Sequence, residues 1–337
     1  MDNRPDGNVS PAIPKVAKPN AHLPMNEGVS RRVIFNADDF GRSHAINEAV
    51  VRAHREGVLT TASLMVNGDA FDEAVTLAHQ HPALGVGLHL TLVMGRATLP
   101  PAQIPGLVNA DGAFTDNPVA AGMGAFFKRS LRPQLEAEIA AQIAKFRSTG
   151  LLMDHLNGHL NFHLHPTIFG ILTRLLSPTG VAADVRRLHS TESSGAAVGT
   201  EEGQSLLTSA TTVSGFGVPP IRLTRDFFWL NAGIARGQWL YRVSHAIIFH
   251  LLSWRARPVL RRLGSRHTDA VFGLLQNARV TEDYLLKLLP RLPAGDSEIY
   301  SHPCLETFPE EFAALTSPFV KGLAKKLGIQ LCRHQDL

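Results

Sequence analysis

Short apolar runs alternate with amphipathic stretches along most of the chain. Val33, Ile34 and Phe35 form the first run, closed by Asp38, Asp39 and Gly41. It reads as a buried strand delivering its last residues into a loop. Ser43 can cap a helix over 44–56, with Ile46, Ala49, Val50 and Ala53 as its buried stripe and Gly57 at its end. A strand over 59–66, a helix over 70–79 stopped before Pro82, and a strand over 85–92 carrying His89 continue the rhythm. This alternation predicts an α/β fold with parallel strands, open or closed into a barrel.

Residues 96–117, rich in Pro and Gly, read as a long loop over one end of the sheet, and such loops in compact domains are usually functional. An amphipathic helix follows over 133–148, and Pro166 starts another that runs to about Leu176. Residues 177–217, rich in Ser, Thr and Gly, read as a flexible insertion. Beyond it the pattern predicts a short strand over 221–223, helical sequence over 227–263, a strand over 270–276 and a helix over 281–292. A strand over 298–302, two short helices over 308–327 and a last strand over 329–332 complete it.

The 337 residues suffice for a sizeable core, and 44% apolar with 18% charged content is that of a globular protein. Residues 1–30 read as a disordered leader without the apolar segment of a secretory signal, and Met25 is an alternative start. The remainder, 31–337, reads as a single domain. Two Cys without a CxxC spacing point away from a disulfide framework or a thiolate zinc site. No run approaches the ~20 apolar residues of a membrane span, so the expected location is the cytoplasm. The net charge of +4 is modest, but nine Arg and one acid, Asp226, fall between Arg222 and Arg266.

Two features carry chemistry. Asp38 and Asp39 are adjacent carboxylates at a strand end, where like charges repel unless one gains a proton or a cation. A metal ion would satisfy one and leave the other free as a base; simple capping of the next helix is the other reading. Residues 154–166 read DHLNGHLNFHLHP, with His155, Asn157, His159, Asn161, His163 and His165 at odd positions and mostly apolar residues between them. In a strand these polar side chains would share a face. A row of neutral imidazoles suits a borderline cation such as zinc, or a hydroxylated surface.

Asn36-Ala37-Asp38-Asp39-Phe40-Gly41, Gly87-Leu88-His89-Leu90, the histidine stretch and Ser301-His302-Pro303 occur in this order. Together they resemble the YdjC/ChbG carbohydrate deacetylases. Asn67-Gly68, the segment 268–273 and Thr281-Glu282-Asp283 resemble the hopanoid-biosynthesis-associated subgroup. The resemblance runs from about Arg32 to the C-terminus. It implies a distorted (β/α) barrel, TIM-barrel-like, and one divalent metal, Mg²⁺ or Zn²⁺, held by Asp39, His89 and His159. It also implies Asp38 as catalytic base and His302 as general acid. Members of the family commonly carry Asp-Ser where this chain has Asn157-Gly158, His at Asn161 and Gly at Cys304.

Asp38, Asp39, His89, His159 and His302 all fall at predicted C-terminal strand ends, which converge on one face of a parallel barrel. One carboxylate and two imidazoles leave positions open for water and substrate. The expected reaction is hydrolysis of an N-acetyl group on an N-acetylglucosamine-type sugar, with a glycosylated hopanoid lipid or a chitooligosaccharide as substrate. A metal-dependent phosphoesterase or other amidohydrolase, and a catalytically silent sugar- or lipid-binding protein, are the alternatives. Arg222 is a candidate to orient Asp38 or to bind a sugar hydroxyl; an exposed Arg at a sheet end is the plainer reading. Asn157 is expected beside the metal ligands, and His163 either extends the site or supports His159. The segment 238–266 mixes Trp, Leu and Ile with clustered Arg. It fits a helix at the anionic inner face of a membrane, or one packed on the barrel or across a homodimer interface. No nucleic-acid partner is expected.

Overall fold

The computed structural model describes residues 30–177, 217–235, 237–276 and 278–337. The expected leader, apart from Ser30, and the expected insertion, apart from its end residues, lie outside these. Strands β1 (Arg31–Phe40), β2 (Thr61–Leu64), β3 (Gly85–Leu90) and β4 (Leu156–Gly158) are separated by α1 (His44–Glu56), α2 (Phe71–Gln80), α3 (Pro118–Phe127) and α4 (Arg132–Ser148). Then come α5 (Pro166–Leu176), α6 (Phe228–Ile234), α7 (Trp239–Leu263), β5 (Ala270–Phe272), α8 (Glu282–Leu288) and β6 (Gly295–Ser301). Helices α9 (Pro309–Thr316) and α10 (Pro318–Lys326) precede the two-residue β7 (Gln330–Leu331).

All strand pairs are parallel, in the order β4-β3-β2-β1-β6-β5, with β7 on β1. The segment 220–225 joins the two outer strands. Leu156 N–H donates to Pro220 O at 2.8 Å, and Val271 N–H donates to Arg225 O at 3.0 Å. This closes a distorted (β/α) barrel, as expected. The strand expected over 221–223 reduces to a single bridge at Ile221, where Arg222 N–H donates to Leu156 O at 3.0 Å while Ile221 N–H turns to Arg266 O.

Alternation along the strands decides what lies inside. Val33, Phe35, Ala37, Ala62, Leu64, Val86, Leu88, Leu90 and Ile299 belong to the main hydrophobic core, shared with the surrounding helices. The alternate positions Asn36, Asp38, Thr61, Ser63, His89, Asn157 and Glu298 are buried and polar, and form the lining of the barrel. Gly85 and Gly87 fall on the same inner side. A Cβ on Gly87 would come within 2.5 Å of His155, so glycine there admits the ring.

Ser43 caps α1 by accepting from Ile46 N–H, as expected. Helix α4 buries Leu135, Ile139, Ile143 and Phe146. Its Gln142 amide grips both backbone atoms of Thr91, and Glu138 accepts from Thr98 and Leu99 N–H. The long loop after β3 is thereby tied down at its root. Helix α3 was not expected from the sequence: half of it is Ala and Gly and only Ala125 is buried, so no apolar stripe announces it.

Candidate active site and metal centre

Adjacent residues on a regular strand point to opposite sides, so Asp38 and Asp39 would not reach the same site. The β1–β2 register shifts between Ala37 and Phe40, and Asp39 has φ 66°. This bulge directs both carboxylates into the barrel mouth, with Asp39 in the left-handed region that non-glycine residues rarely adopt.

Asp39, His89 and His159 are buried and offer ligand atoms within 4.8 Å of one another. Asp39 Oδ1 lies 3.2 Å from His89 Nε2 and 2.9 Å from His159 Nδ1. Its Oδ2 accepts from Arg42 at 2.9 Å. Burial opposes ionisation of Asp39, but the two imidazoles hold its carboxyl well below the usual range.

The chemistry of this donor set fits a cation. Asn157 Nδ2 donates to Ser63 Oγ at 2.8 Å and to Asp38 Oδ1 at 3.1 Å. Its Oδ1 must then accept from His89 Nδ1, 2.7 Å away. Neutral His89 is thus protonated at Nδ1, and its buried Nε2, which makes no hydrogen bond, faces a carboxylate with its lone pair. Lone pairs in that opposition call for a positive charge between them, a proton or a cation, and Asp39, His89 and His159 are the residues that could hold a cation.

Asp38 is built for a different task. Its Oδ1 accepts from Asn36 Nδ2 at 2.8 Å, Asn157 Nδ2 at 3.1 Å and Arg222 Nη2 at 3.0 Å. Its Oδ2 accepts from Arg222 Nη1 at 2.8 Å. Burial pushes its pKa up; the Arg222 guanidinium more than offsets this and keeps Asp38 ionised. Arg222 is fully buried, forks to Glu298 Oε1 at 2.6 and 2.8 Å, and lies 4.3 Å over the Tyr300 ring. The reading of Arg222 as an exposed residue, or as a sugar ligand, is therefore corrected: both ends of its guanidinium are committed to carboxylates.

Ser301 pairs with Ala37 across β6 and β1, which sets His302 level with Asp38 at the mouth. The His302 side chain is 29% exposed, with Nδ1 3.8 Å from Glu311 Oε2. Its backbone N–H donates to the same carboxylate.

The row of imidazoles expected over 154–166, along a strand with an irregular C-terminal end, is cut shorter than that. Strand β4 ends at Gly158, and Leu160 and Asn161, at φ 53° and 55°, turn the chain into a 3-10 segment. The rings therefore diverge. His155 bonds Asp154 and Ser63, His163 Nε2 donates to Arg222 O at 2.9 Å, and His165 stacks on Phe162. His163 supports Arg222 rather than His159, and burial lowers its pKa to about 3. His159 is the one that faces Asp39. Sequence reading missed Asn36, Ser63, Asp154, Glu298 and His334, which are buried and bonded around Asp38 and Arg222. The NADD motif already contained Asn36, whereas nothing local singles out His334, three residues from the C-terminus.

A model of the YdjC-like protein family matches residues 32–326. The chain belongs to this family. It is 40% identical over 148 residues to a carbohydrate deacetylase of Brevibacillus brevis, covering 43% of this chain and 55% of that protein. It is 34% identical over 162 residues to a chitooligosaccharide deacetylase of Salmonella paratyphi B, covering 47% of this chain and 61% of that protein. The chain thus spans little more than half the length of these curated relatives. A crystal structure from Enterococcus faecalis, of a protein named for cellobiose-phosphate cleavage, superposes with a TM-score of 0.60 at 22% identity. That alignment covers 91% of this chain and 98% of the other, and shows that the two folds agree.

Proposed function

We propose that this YdjC-like chain is a metal-dependent carbohydrate N-deacetylase. The observation that carries the reading is the division of labour between neighbouring carboxylates. Asp39 faces two imidazoles, while Asp38 is held ionised by Arg222 with no imidazole hydrogen-bonded to it. Asp39, His89 and His159 would hold a divalent ion, which would supply Lewis-acid polarisation of the amide carbonyl and ease deprotonation of the attacking water. Asp38 takes the proton of the attacking water, with Arg222 fixing its orientation. His302 donates a proton to the departing amine, and its exposed edge at the barrel mouth suits that role. The products are acetate and a free amino sugar. Asp38→Asn and His302→Ala should each lower kcat by about 10²–10⁴-fold while leaving metal content unchanged. Turnover near wild type in either variant sinks the assignment of roles.

For the substrate we favour an N-acetylglucosaminyl group on a hopanoid-type lipid, because of the surface of α7. Leu240 (86% exposed), Ile247, Leu251 and Trp254 (73% exposed) lie in the open along it. Arg255, Arg261, Arg262 and Arg266 follow at the exposed end, with no acid from 239 to 268. Such a face fits a peripheral contact with anionic lipid; among the described residues no helix is long and apolar enough to cross a membrane. The Salmonella relative's name favours a second reading, a soluble chitooligosaccharide. Acetate release from an N-acetylglucosaminyl lipid and from N,N′-diacetylchitobiose, each with and without chelator, separates the two. Sedimentation with phosphatidylglycerol vesicles should be lost at high salt and in a Leu251→Glu/Trp254→Glu variant. If the protein ignores anionic vesicles and instead dimerises through this face, the membrane reading fails.

A further inference from the structure

The barrel holds a second set of ionisable groups at the end opposite the metal ligands. His334 is buried, with Nε2 3.3 Å from Glu298 Oε2 and Nδ1 3.3 Å from Asp154 Oδ2. Its ring stacks on that of His155 at 4.1 Å. Asp154, His155 and His334 lie close enough to suggest another metal site, but both nitrogens of His155 are already matched. His155 Nδ1 bonds Asp154 at 2.9 Å and its Nε2 bonds Ser63 Oγ at 2.9 Å. Asp154 Oδ1 accepts from Gln335 N–H at 3.0 Å. His155, with neither nitrogen free, is no ligand.

The arrangement instead continues toward Asp38. Glu298, which His334 touches with one oxygen, grips Arg222 with the other, and Arg222 forks onto Asp38. A parallel path leads from Asp154 through His155 and Ser63 to Asn36 and Asn157, both of which donate to Asp38. The C-terminal turn that carries His334 is pinned where the strands begin. Arg32 Nη1 donates to Asp336 O at 2.8 Å, Arg266 Nη2 to Gln335 O at 3.1 Å, and Cys332 N–H to Val33 O at 3.1 Å.

We infer that His334 is a positioning residue for Asp38, the cationic foot of an ionic column running through Glu298 and Arg222, and that turnover requires it to remain an imidazolium. The inference rests on the deacetylase reading for its rate effects. The charged and titratable groups facing His334 are Glu298 from β6 and Asp154 and His155 from the segment entering β4. On its own turn Asp336 is paired with Arg333. Burial works against the imidazolium, but the two carboxylates outweigh it and raise its pKa to about 9. While charged, it shares Glu298 with Arg222 and stops that carboxylate from drawing the guanidinium off Asp38. Once neutral, it leaves Glu298 and Asp154 with one cation fewer between them.

The test is the pH dependence of kcat for the full chain, saturated with divalent metal, on whichever N-acetyl substrate the wild type turns over. Wild-type kcat should fall as pH rises through about 9. His334→Gln should lower kcat about 10- to 100-fold at pH 7.5 with KM and metal content unchanged, and lose the limb near 9, whatever limb the proton on His302 adds. His334→Lys, which restores a cation, should recover part of kcat and move the limb to higher pH. Glu298→Gln, which removes the facing charge, should move it lower. Wild-type kcat and pH profile in His334→Gln, or a limb unmoved in Glu298→Gln, overturns the inference. If the wild type releases no acetate from any substrate, the deacetylase reading fails by itself. The column is then judged by [¹³C]histidine NMR: a buried imidazole titrating near 9, absent from His334→Gln, supports it, and its absence from the wild type overturns it.

Discussion

Replacing Arg222 with Met tests the centre of the site most directly. Met fills much of the same volume but leaves Asp38 and Glu298, both fully buried, without their shared cation. Breaking a buried ion pair by removing one partner costs ~3–5 kcal/mol. The structure gives a consistent figure. Burial pushes Glu298 up, and Arg222 with His334 brings it from 4.5 to about 2; a shift of that size corresponds to ~3 kcal/mol. The pH dependence supplies the sharper criterion. In the wild type both carboxylates titrate below their unfolded values of 3.8 and 4.5. Their contribution to stability is therefore complete above those values and is lost as pH falls through the folded ones. In Arg222→Met burial, the largest influence on both groups, is no longer opposed by the guanidinium. With only His89 and His302 left to oppose burial, the Asp38 carboxyl should rise, and stability should fall as pH rises from 4 toward 7. Urea unfolding at pH 4, 5.5 and 7, with metal held saturating, reads the slope. Arg222→Lys keeps the charge but cannot fork to two carboxylates, and should lie between. An Arg222→Met protein within 1 kcal/mol of wild type, with the same sign of slope, would refute the account.

Three further outcomes are expected. Asn157→Ala removes the acceptor that fixes the His89 tautomer, and should weaken divalent-metal binding about 10- to 100-fold by isothermal titration while leaving the fold intact. Gly87→Ala forces a Cβ to within 2.5 Å of the His155 ring; it should destabilise by ~1–3 kcal/mol and lower kcat by disturbing the Ser63–Asn157 path. Glu138→Gln loosens the backbone at Thr98 and Leu99 that its carboxylate now holds, and should raise KM more than it lowers kcat in steady-state assays.

Much of this was legible along the chain because the relevant signals are local. The Ser43 cap, the apolar stripe of α1 and the Gly-flanked runs of β1 and β3 each specify their own element, and these place Asp38, Asp39 and His89. Residues 154–166 misled because period-2 alternation states which side chains would share a face if the strand continued. It does not reveal that two left-handed residues, Leu160 and Asn161, end it. The reach of His159 to Asp39 comes from that break. Arg222 was half legible: its type suited a partner for Asp38, but its burial depends on Glu298, 76 residues away. The partners of His334 lie 36 residues and more before it, and become neighbours only when the barrel closes on its own C-terminal turn.

Counting the ions buried inside the barrel, among the described residues, gives a reason for a divalent cation that is independent of ligand type. Asp38, Asp39, Asp154 and Glu298 are buried, and each pKa is held down. The buried cations that meet them are Arg222 and His334, and these serve Asp38, Glu298 and Asp154. Asp39 is left with Arg42, whose side chain is nearly half exposed and is screened accordingly. Two negative charges thus remain uncompensated, and low dielectric makes such an excess costly. Protons on the imidazoles around Asp39 relieve it in one way, a doubly charged ion in another, and the two compete. Binding of Zn²⁺ or Mg²⁺ to the chelated protein should therefore release protons and raise Tm. Calorimetry in buffers of different ionisation enthalpy measures the release. Binding without proton release would mean that the imidazoles facing Asp39 were never its counter-ions, and that the charge is balanced somewhere else.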